Sequence, residues 1–151
     1  MDAAIRERRR ADLPRCVALL AQSHTLHRYP VHWPADPSGW LSPAGMAHAW
    51  VATATSEVVG HVCVVRHRDP GDGLRLERLF VSQQAQGHGR ALVDAATTWA
   101  TEHRHRLTLD VLENCTDAIR LYRALGWRLL EEIPIDWAGD VARTVLRFEA
   151  P

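Results

Sequence analysis

This sequence has no excess charge of either sign: 18 Lys+Arg residues stand against 18 Asp+Glu. The balance removes the long-range field that draws a protein to nucleic acid or to an acidic membrane, so neither is expected as a partner. The one basic run, "RERRR" (Arg6 to Arg10), reads as a solvated strand end. No apolar run is long enough to span a bilayer and no secretory leader is visible, which points to the cytoplasm. Cysteines are few and odd in number (Cys16, Cys63 and Cys115) and lack metal-ligand spacing. Cys16 and Cys63 lie in apolar runs, where a buried, reduced thiol is the default. Nine histidines are present, and His24, His27 and His32 share one segment, but their spacing matches no metal site and no metal is expected. Internal repeats and low-complexity tracts are absent, and nothing in the composition argues against a homodimer.

What is present is ordinary globular composition, 46% hydrophobic and 24% charged over 151 residues. That length suits a single domain over residues 1–151 with a substantial core. "AAIRER" reads as a first strand. "DLPRCVALL" reads as a helix with Asp12 as its cap, Pro14 in the first turn, and Leu13, Cys16, Val17 and Leu20 on one face. Residues 22 to 45 read as irregular, because four prolines interrupt them, yet Tyr29, Trp33 and Trp40 make the segment unlike a linker. "AWVATA" and "VVGHVCVV" form a hairpin around "TSE". In "LRLERLFV" the apolar phase slips between Leu76 and Leu79. A β-bulge near Glu77 and Arg78 would return Leu74, Leu76, Leu79 and Val81 to one face; a strand buried on both faces is the alternative. A helix with the stripe Leu92, Ala95, Ala96 and Trp99 follows, then the strand "LTLDVL". The helix "NCTDAIRLYRALGW" has Asn114 as cap and Gly126 as terminator, and two closing strands end the chain. The order β-α-loop-β-β-β-α-β-α-β-β implies an α/β (α+β) fold, a mixed sheet with helices on its faces.

Between strand "LERLFV" and the next helix lies "QQAQGHGRAL" (Gln83 to Leu92), with glycines at 87 and 89. Free N–H groups and the positive end of the dipole make a helix N-terminus an anion site. Gly87 and Gly89 remove side chains that would block a phosphate, His88 and Arg90 offer donors or charge, and a diphosphate is the natural ligand. No Gly-Lys-Ser/Thr follows, so this is not a Walker loop, and the third glycine of the dinucleotide fingerprint is missing.

"QAQGHG" (Gln84 to Gly89) resembles the Q/R-x-x-G-x-G/A motif of the GCN5-related N-acetyltransferases, the GNAT superfamily. "LERLFV" resembles that family's bulged fourth strand, and "NCTDAIRLYRALGW" its N-(x)n-A-x-x-L-Y-x-x-x-G-F/W segment. Order and spacing agree from about residue 4 to 148. The resemblance implies a mostly antiparallel central sheet and acetyl-CoA as cosubstrate. The diphosphate would lie on amides from Gln86 through Gly87, His88, Gly89 and Arg90 to Ala91. Main-chain groups of Phe80 and Val81 would pair with the pantetheine arm in a splay between strands four and five.

Acetyl transfer needs a neutral amine, a polarised thioester carbonyl and a proton for the departing thiolate. By resemblance, the main-chain amide of Val81 polarises the carbonyl and Tyr122 protonates the thiolate. Asn114 touches the pantetheine arm or a bound water, or simply caps its helix. Many family members place a carboxylate six residues before the position of Val81. Here that residue is Arg75, and Glu77 is the candidate base, with Asp110, His24, His27 or a water relay as alternatives. His27, Tyr29 and Trp33 are expected to line the acceptor pocket, with Trp137 opposite, and the aromatics favour a small amine with an apolar or planar part. Cys115 reads as a helix-start residue rather than an acyl carrier. The reading is an N-acetyltransferase acting on a primary amine by direct transfer. A non-catalytic acyl-CoA-binding sensor and an O-acyltransferase remain open beside it.

Overall fold

The computed structural model describes residues 4–82 and 87–151. Seven strands form one sheet: β1 (Ala4–Glu7), β2 (Met46–Ala54), β3 (Glu57–Arg66), β4 (Leu74–Val81), β5 (Leu107–Leu112), β6 (Arg128–Pro134) and β7 (Thr144–Glu149). Their spatial order is β1-β2-β3-β4-β5-β7-β6, and every pair is antiparallel except β4 with β5. Helices α1 (Leu13–His27) and the short α2 (Pro37–Trp40) lie on one face; α3 (His88–Glu102) and α4 (Thr116–Ala124) lie on the other.

Each face has its own core. On the α3/α4 side Val62, Leu74, Leu92, Leu109, Tyr122 and Phe148 pack together. On the α1 side Cys16, Leu19 and Leu20 meet Val51, Val58 and Phe80. The alternation of a strand explains the division: Trp50 and Ala52 face α3 while Val51, between them, faces α1.

Four local expectations need correction. α1 does not stop at the "ALL" run but continues to His27, inside the segment read as irregular. No helix breaker occurs before Pro30, and Ser23 extends the buried stripe of Cys16, Leu19 and Leu20 by one turn. α2 interrupts that segment again: Asp36 accepts from the Gly39 amide at 3.1 Å and Pro37 opens the helix, a start signal that proline counting obscured. Asp12 does not cap α1 with its side chain. Its carboxylate accepts from both terminal nitrogens of Arg6 at 2.8 Å and from the Arg9 amide at 2.7 Å. Likewise α4 is capped by Cys115, with Asn114 one residue outside.

β4 carries the bulge. Cys63 pairs with Glu77 and His61 with Phe80, so β4 uses three residues where β3 uses two. Leu74, Leu76, Leu79 and Val81 consequently all meet the α3/α4 core. Arg78 takes the turn at φ +57°, a conformation that costs on the order of 1–3 kcal/mol in a non-glycine residue. Several contacts hold it there. Its carbonyl accepts from His61 Nδ1 at 2.9 Å, and Arg8 Nη1 lies 3.0 Å from His61 Nε2. A guanidinium only donates, so Nε2 is the acceptor and Nδ1 bears the proton. Arg8 also donates to the Leu41 carbonyl at 2.6 Å. The Arg78 side chain donates to the Trp40 carbonyl at 3.1 Å and lies 3.8 Å over the Trp40 ring. The bulge and α2 are thus one unit.

β4 and β5 pair only at Leu74 with Leu107 and Arg75 with Thr108. Beyond Arg75 the two strands part.

His61 is fully buried, and loss of water pushes its imidazole down to about 4. From about pH 6.5 to about 4 the unfolded chain therefore holds a proton that the folded chain does not, and stability must fall as pH falls through that window. Taking 1.36 kcal/mol per pKa unit, the expected loss is roughly 3 kcal/mol. His67 is shifted in the same sense by burial and by Arg75 and adds to it. Urea unfolding at pH 7 and pH 4.5 measures the loss, and His61→Asn, which keeps a donor near the Arg78 carbonyl, is expected to reduce it.

Candidate active site

Where β4 and β5 part, a cleft of about 960 Å³ opens between them. Its floor comes from Arg75 to Val81 and Leu109 to Leu112. The start of α3 and the inner side of α4 close one flank; residues 29–32, Trp40, and Ile133 to Trp137 close the other.

The free edge of β4 faces this gap. Ser82 donates its amide to the Val59 carbonyl at 2.7 Å. Main-chain groups of an antiparallel strand alternate between its two edges, so the N–H and C=O of Val81 point away from β3 and into the cleft. Phe80, paired with His61, turns its own main-chain groups toward β3. Of the two residues expected to pair with an extended ligand, Val81 has the free groups. Phe80 contributes a side chain stacked on His61, ring centroids 5.1 Å apart.

The start of α3 suits an anion. Gly87 sits at φ +76° with nothing within 4 Å of where a Cβ would be, no side chain caps the helix, and its first turn has no acidic residue. Gly89 lies on the cleft; a Cβ there would meet Leu121 at 3.7 Å and Val81 at 4.0 Å, ordinary contact distances. His88 is buried, its Nδ1 without a partner among the described residues, while Arg90 is exposed. Neither they nor Gly87 and Ala91 line the cleft, and Gln86 lies outside the described residues.

Tyr122 projects from α4 into the opposite flank, 4% exposed, with Trp127 and Phe148 at ring-centroid distances of 5.7 and 6.2 Å. Its hydroxyl has no hydrogen bond among the described residues, and burial raises its pKa above the ordinary phenol value, so it stays protonated. Asn114 and Cys115 also line the cleft. Burial raises the Cys115 thiol as well, which opposes the thiolate an acyl carrier needs.

The floor is charged. Glu77 is ion-paired to Arg78 at 2.9 Å. Asp110 takes two bonds from Arg147, at 2.8 and 3.0 Å, and Arg147 reaches Glu131 at 3.3 Å. The Arg75 side chain makes no hydrogen bond or ion pair with any described residue, and its Nε is buried without a partner. On the aromatic side, Tyr29 meets Trp40 edge-on at 6.1 Å, and His32 lies 3.0 Å from the Trp137 carbonyl. His27 lines the cleft. Trp33 does not: it is 41% exposed and leans on His24, which is itself tied to the Pro30 carbonyl at 2.6 Å. Trp40 occupies the place expected of Trp33. The cap signal Asp36-Pro37 could have pointed to Trp40, because a helix start fixes where its last residue faces. His61 and Arg8 had no such signal; their role depends on a strand register.

Residues 10–127 match the model of the acetyltransferase (GNAT) family. No curated protein sequence matches the chain. Among solved structures, an N-acetyltransferase from Staphylococcus aureus superposes with TM-score 0.83 at 13% identity, covering 99% of this chain and 98% of that one. The ribosomal-protein-alanine N-acetyltransferase of Brucella melitensis gives 0.79 at 20% identity, covering 97% and 98%. An acetyltransferase of Bacillus anthracis solved with acetyl coenzyme A gives 0.60 at 16% identity, covering 72% and 64%. At these identities the superpositions speak for the fold.

Because a side chain at position 89 fits sterically yet faces the cleft, Gly89→Glu is expected to fold and to place a carboxylate where a phosphate would lie. Calorimetric titration with acetyl-CoA should detect no binding to the variant; unchanged affinity would mean that the start of α3 holds no phosphate.

Proposed function

The chain belongs to the acetyltransferase (GNAT) family, and on that premise we propose that it is a single-domain N-acetyltransferase transferring acetyl directly from acetyl-CoA to a primary amine of a small acceptor. The observation that carries the reading is the parted β4/β5 pair, with the free main-chain groups of Val81 on one side and protonated Tyr122 on the other. Acetyl-CoA supplies the acetyl group as a thioester and leaves as a thiol. The cleft fits it, with an uncapped helix start at one end and an unpaired strand edge beside it.

The Val81 amide donates to the carbonyl oxygen as charge develops there. Tyr122, its hydroxyl otherwise unpartnered, donates a proton to the departing sulfur. Asn114, on the cleft wall, is the side chain assigned to the pantetheine arm or a water beside it. Proton removal from the amine falls to Glu77 or to water held beside it. The ion pair with Arg78 engages one oxygen of Glu77 and leaves the other uncommitted. Asp110 is a weaker candidate because Arg147 occupies both of its oxygens. His27, Tyr29 and Trp40 line the acceptor side. The free state of all three cysteines agrees with a reducing cytoplasm, and no helix among the described residues is long and apolar enough to cross a membrane. The catalytic reading is preferred over a silent acyl-CoA sensor because Tyr122, on the cleft wall and held protonated by burial, can supply the proton that the departing thiolate needs.

Tyr122→Phe keeps the ring and its packing. The expected result is a fall in kcat of at least about tenfold with acetyl-CoA affinity unchanged, since positioned acid catalysis typically contributes roughly 10²–10⁴-fold. Glu77→Gln is expected to remove the acidic limb of the kcat/KM profile, since a basic carboxylate stops accepting protons once pH falls through its pKa. Steady-state rates against an amine panel test both. Full activity in Tyr122→Phe returns that residue to the core, and an unaltered profile in Glu77→Gln assigns the base to water or a histidine.

A further inference from the structure

Five charged side chains meet on the cleft floor: Arg75, Arg78 and Arg147 against Glu77 and Asp110. Four of them neutralise one another, Glu77 with Arg78 and Asp110 with Arg147. Arg75 is left over. It stands on the last β4–β5 rung, between Val65 of β3 and Thr108 of β5, where the gap begins. Its Nε is cut off from solvent and bonded to nothing described, a state in which a guanidinium has lost water without gaining a partner. Its charge is felt nearby, since it helps hold His67 below the ordinary imidazole range.

We infer that Arg75 forms an anion subsite at the acceptor end of the cleft, and that the acceptor is an elongated amine whose far end bears a carboxylate. The inference rests on the acetyl-transfer reading for the place of the amine. Nε has no accessible surface, so the donors open to a ligand are the two terminal nitrogens, which make no bond to any described residue and present a pair that matches the two oxygens of a carboxylate. Arg75 and Val81 stand six strand positions apart, roughly 20 Å from Cα to Cα, and the arginine side chain bridges part of that span, so the anion sits several bonds from the reacting amine and an α-amino acid is too short. A cation without a partner among the described residues, set among aromatic walls (Tyr29, Trp40 and Trp137), suits a single negative charge on an otherwise apolar molecule, not a polyanion.

The test compares matched acceptors, 6-aminohexanoate and glycylphenylalanine, each with its carboxamide. A site built to bond a substrate group discriminates strongly against the analogue lacking it, so wild-type kcat/KM should favour the acids by at least about tenfold. In Arg75→Gln that preference should fall to within about twofold, chiefly through acceptor KM, with acetyl-CoA affinity unchanged. Should Arg75→Gln fail to fold, Arg75→Lys replaces it, keeping the charge while losing the paired donors, and the preference should shrink without vanishing. Equal rates for acid and amide in the wild type, or a preference that survives Arg75→Gln, overturns the subsite. A second arm separates it from the parent reading. Calorimetric titration of 6-acetamidohexanoate into the CoA-loaded protein should show binding that Arg75→Gln removes. Such binding without turnover of any amine keeps the subsite and rejects acetyl transfer. Absence of both binding and turnover rejects the subsite.

Discussion

Arg78 occupies a backbone conformation that a side chain disfavours, and the arrangement of the cleft follows from the contacts that hold it there. The extra residue at the bulge bends β4 just past its two rungs with β5, and the strands separate. Because the bulge also resets the strand's phase, Leu79 and Val81 return to the apolar side beneath α3, and the main-chain groups of Val81 turn toward the gap. The compensation is a chain of polar contacts. His61 donates to the strained carbonyl, Arg8 donates to His61 and to Leu41, and Arg78 itself reaches Trp40. A buried neutral imidazole is required for this, and the low pKa of His61 is the electrostatic sign of it.

The two ends of the cleft differ in kind. Toward α3 the surroundings are main-chain amides, glycine and apolar side chains, which suit a ligand recognised by backbone. Toward the β4–β5 apex the floor is a set of crossed ion pairs. Glu77 with Arg78 and Asp110 with Arg147 are partly exposed pairs, individually worth little to stability. Their significance is positional: each carboxylate is held by a guanidinium at a defined point on the floor. Aromatic side chains from α2 and from the segment before it wall this charged end, and Arg78 joins the two through its stacking on Trp40.

Much of this was legible in the sequence because it depended on local chemistry. Hydrophobic period gave the strand and helix order, and the slip between Leu76 and Leu79 revealed the bulge, since no regular strand could bury all four apolar residues on one side. The glycines at 87 and 89 marked a helix start open to an anion. What escaped notice depended on register or competition. Asp12 is a good cap by type, but Arg6 and Arg9 claim its oxygens, and that pairing requires β1 to lie beside the helix start. His61 lies in an apolar run with no local mark, and only the offset between β3 and β4 brings it to the Arg78 carbonyl. Trp33 and Trp40 are alike as residue types; the short helix capped by Asp36 turns one of them inward, while the other rests on His24. Glu77 and Asp110 read as candidate bases, with Arg75 at the place where a carboxylate was expected. That Asp110 is neutralised depends on Arg147, a residue 37 positions beyond it.

The two rungs between β4 and β5 bear on the mechanics of the molecule as well. Hydrogen bonding ties the β1–β4 half of the sheet to the β5–β7 half at Leu74–Leu107 and Arg75–Thr108 and then ceases. Farther along, the separation of the halves is governed by side-chain volume in the core that Leu92, Leu109, Tyr122 and Phe148 share. Protein interiors are dense enough that a single methylene shifts its neighbours. A core substitution at Phe148, which does not line the cleft, would therefore alter its width. In this fold the packing volume of the core and the width of the cleft are coupled variables, so a drift in one is a drift in the other.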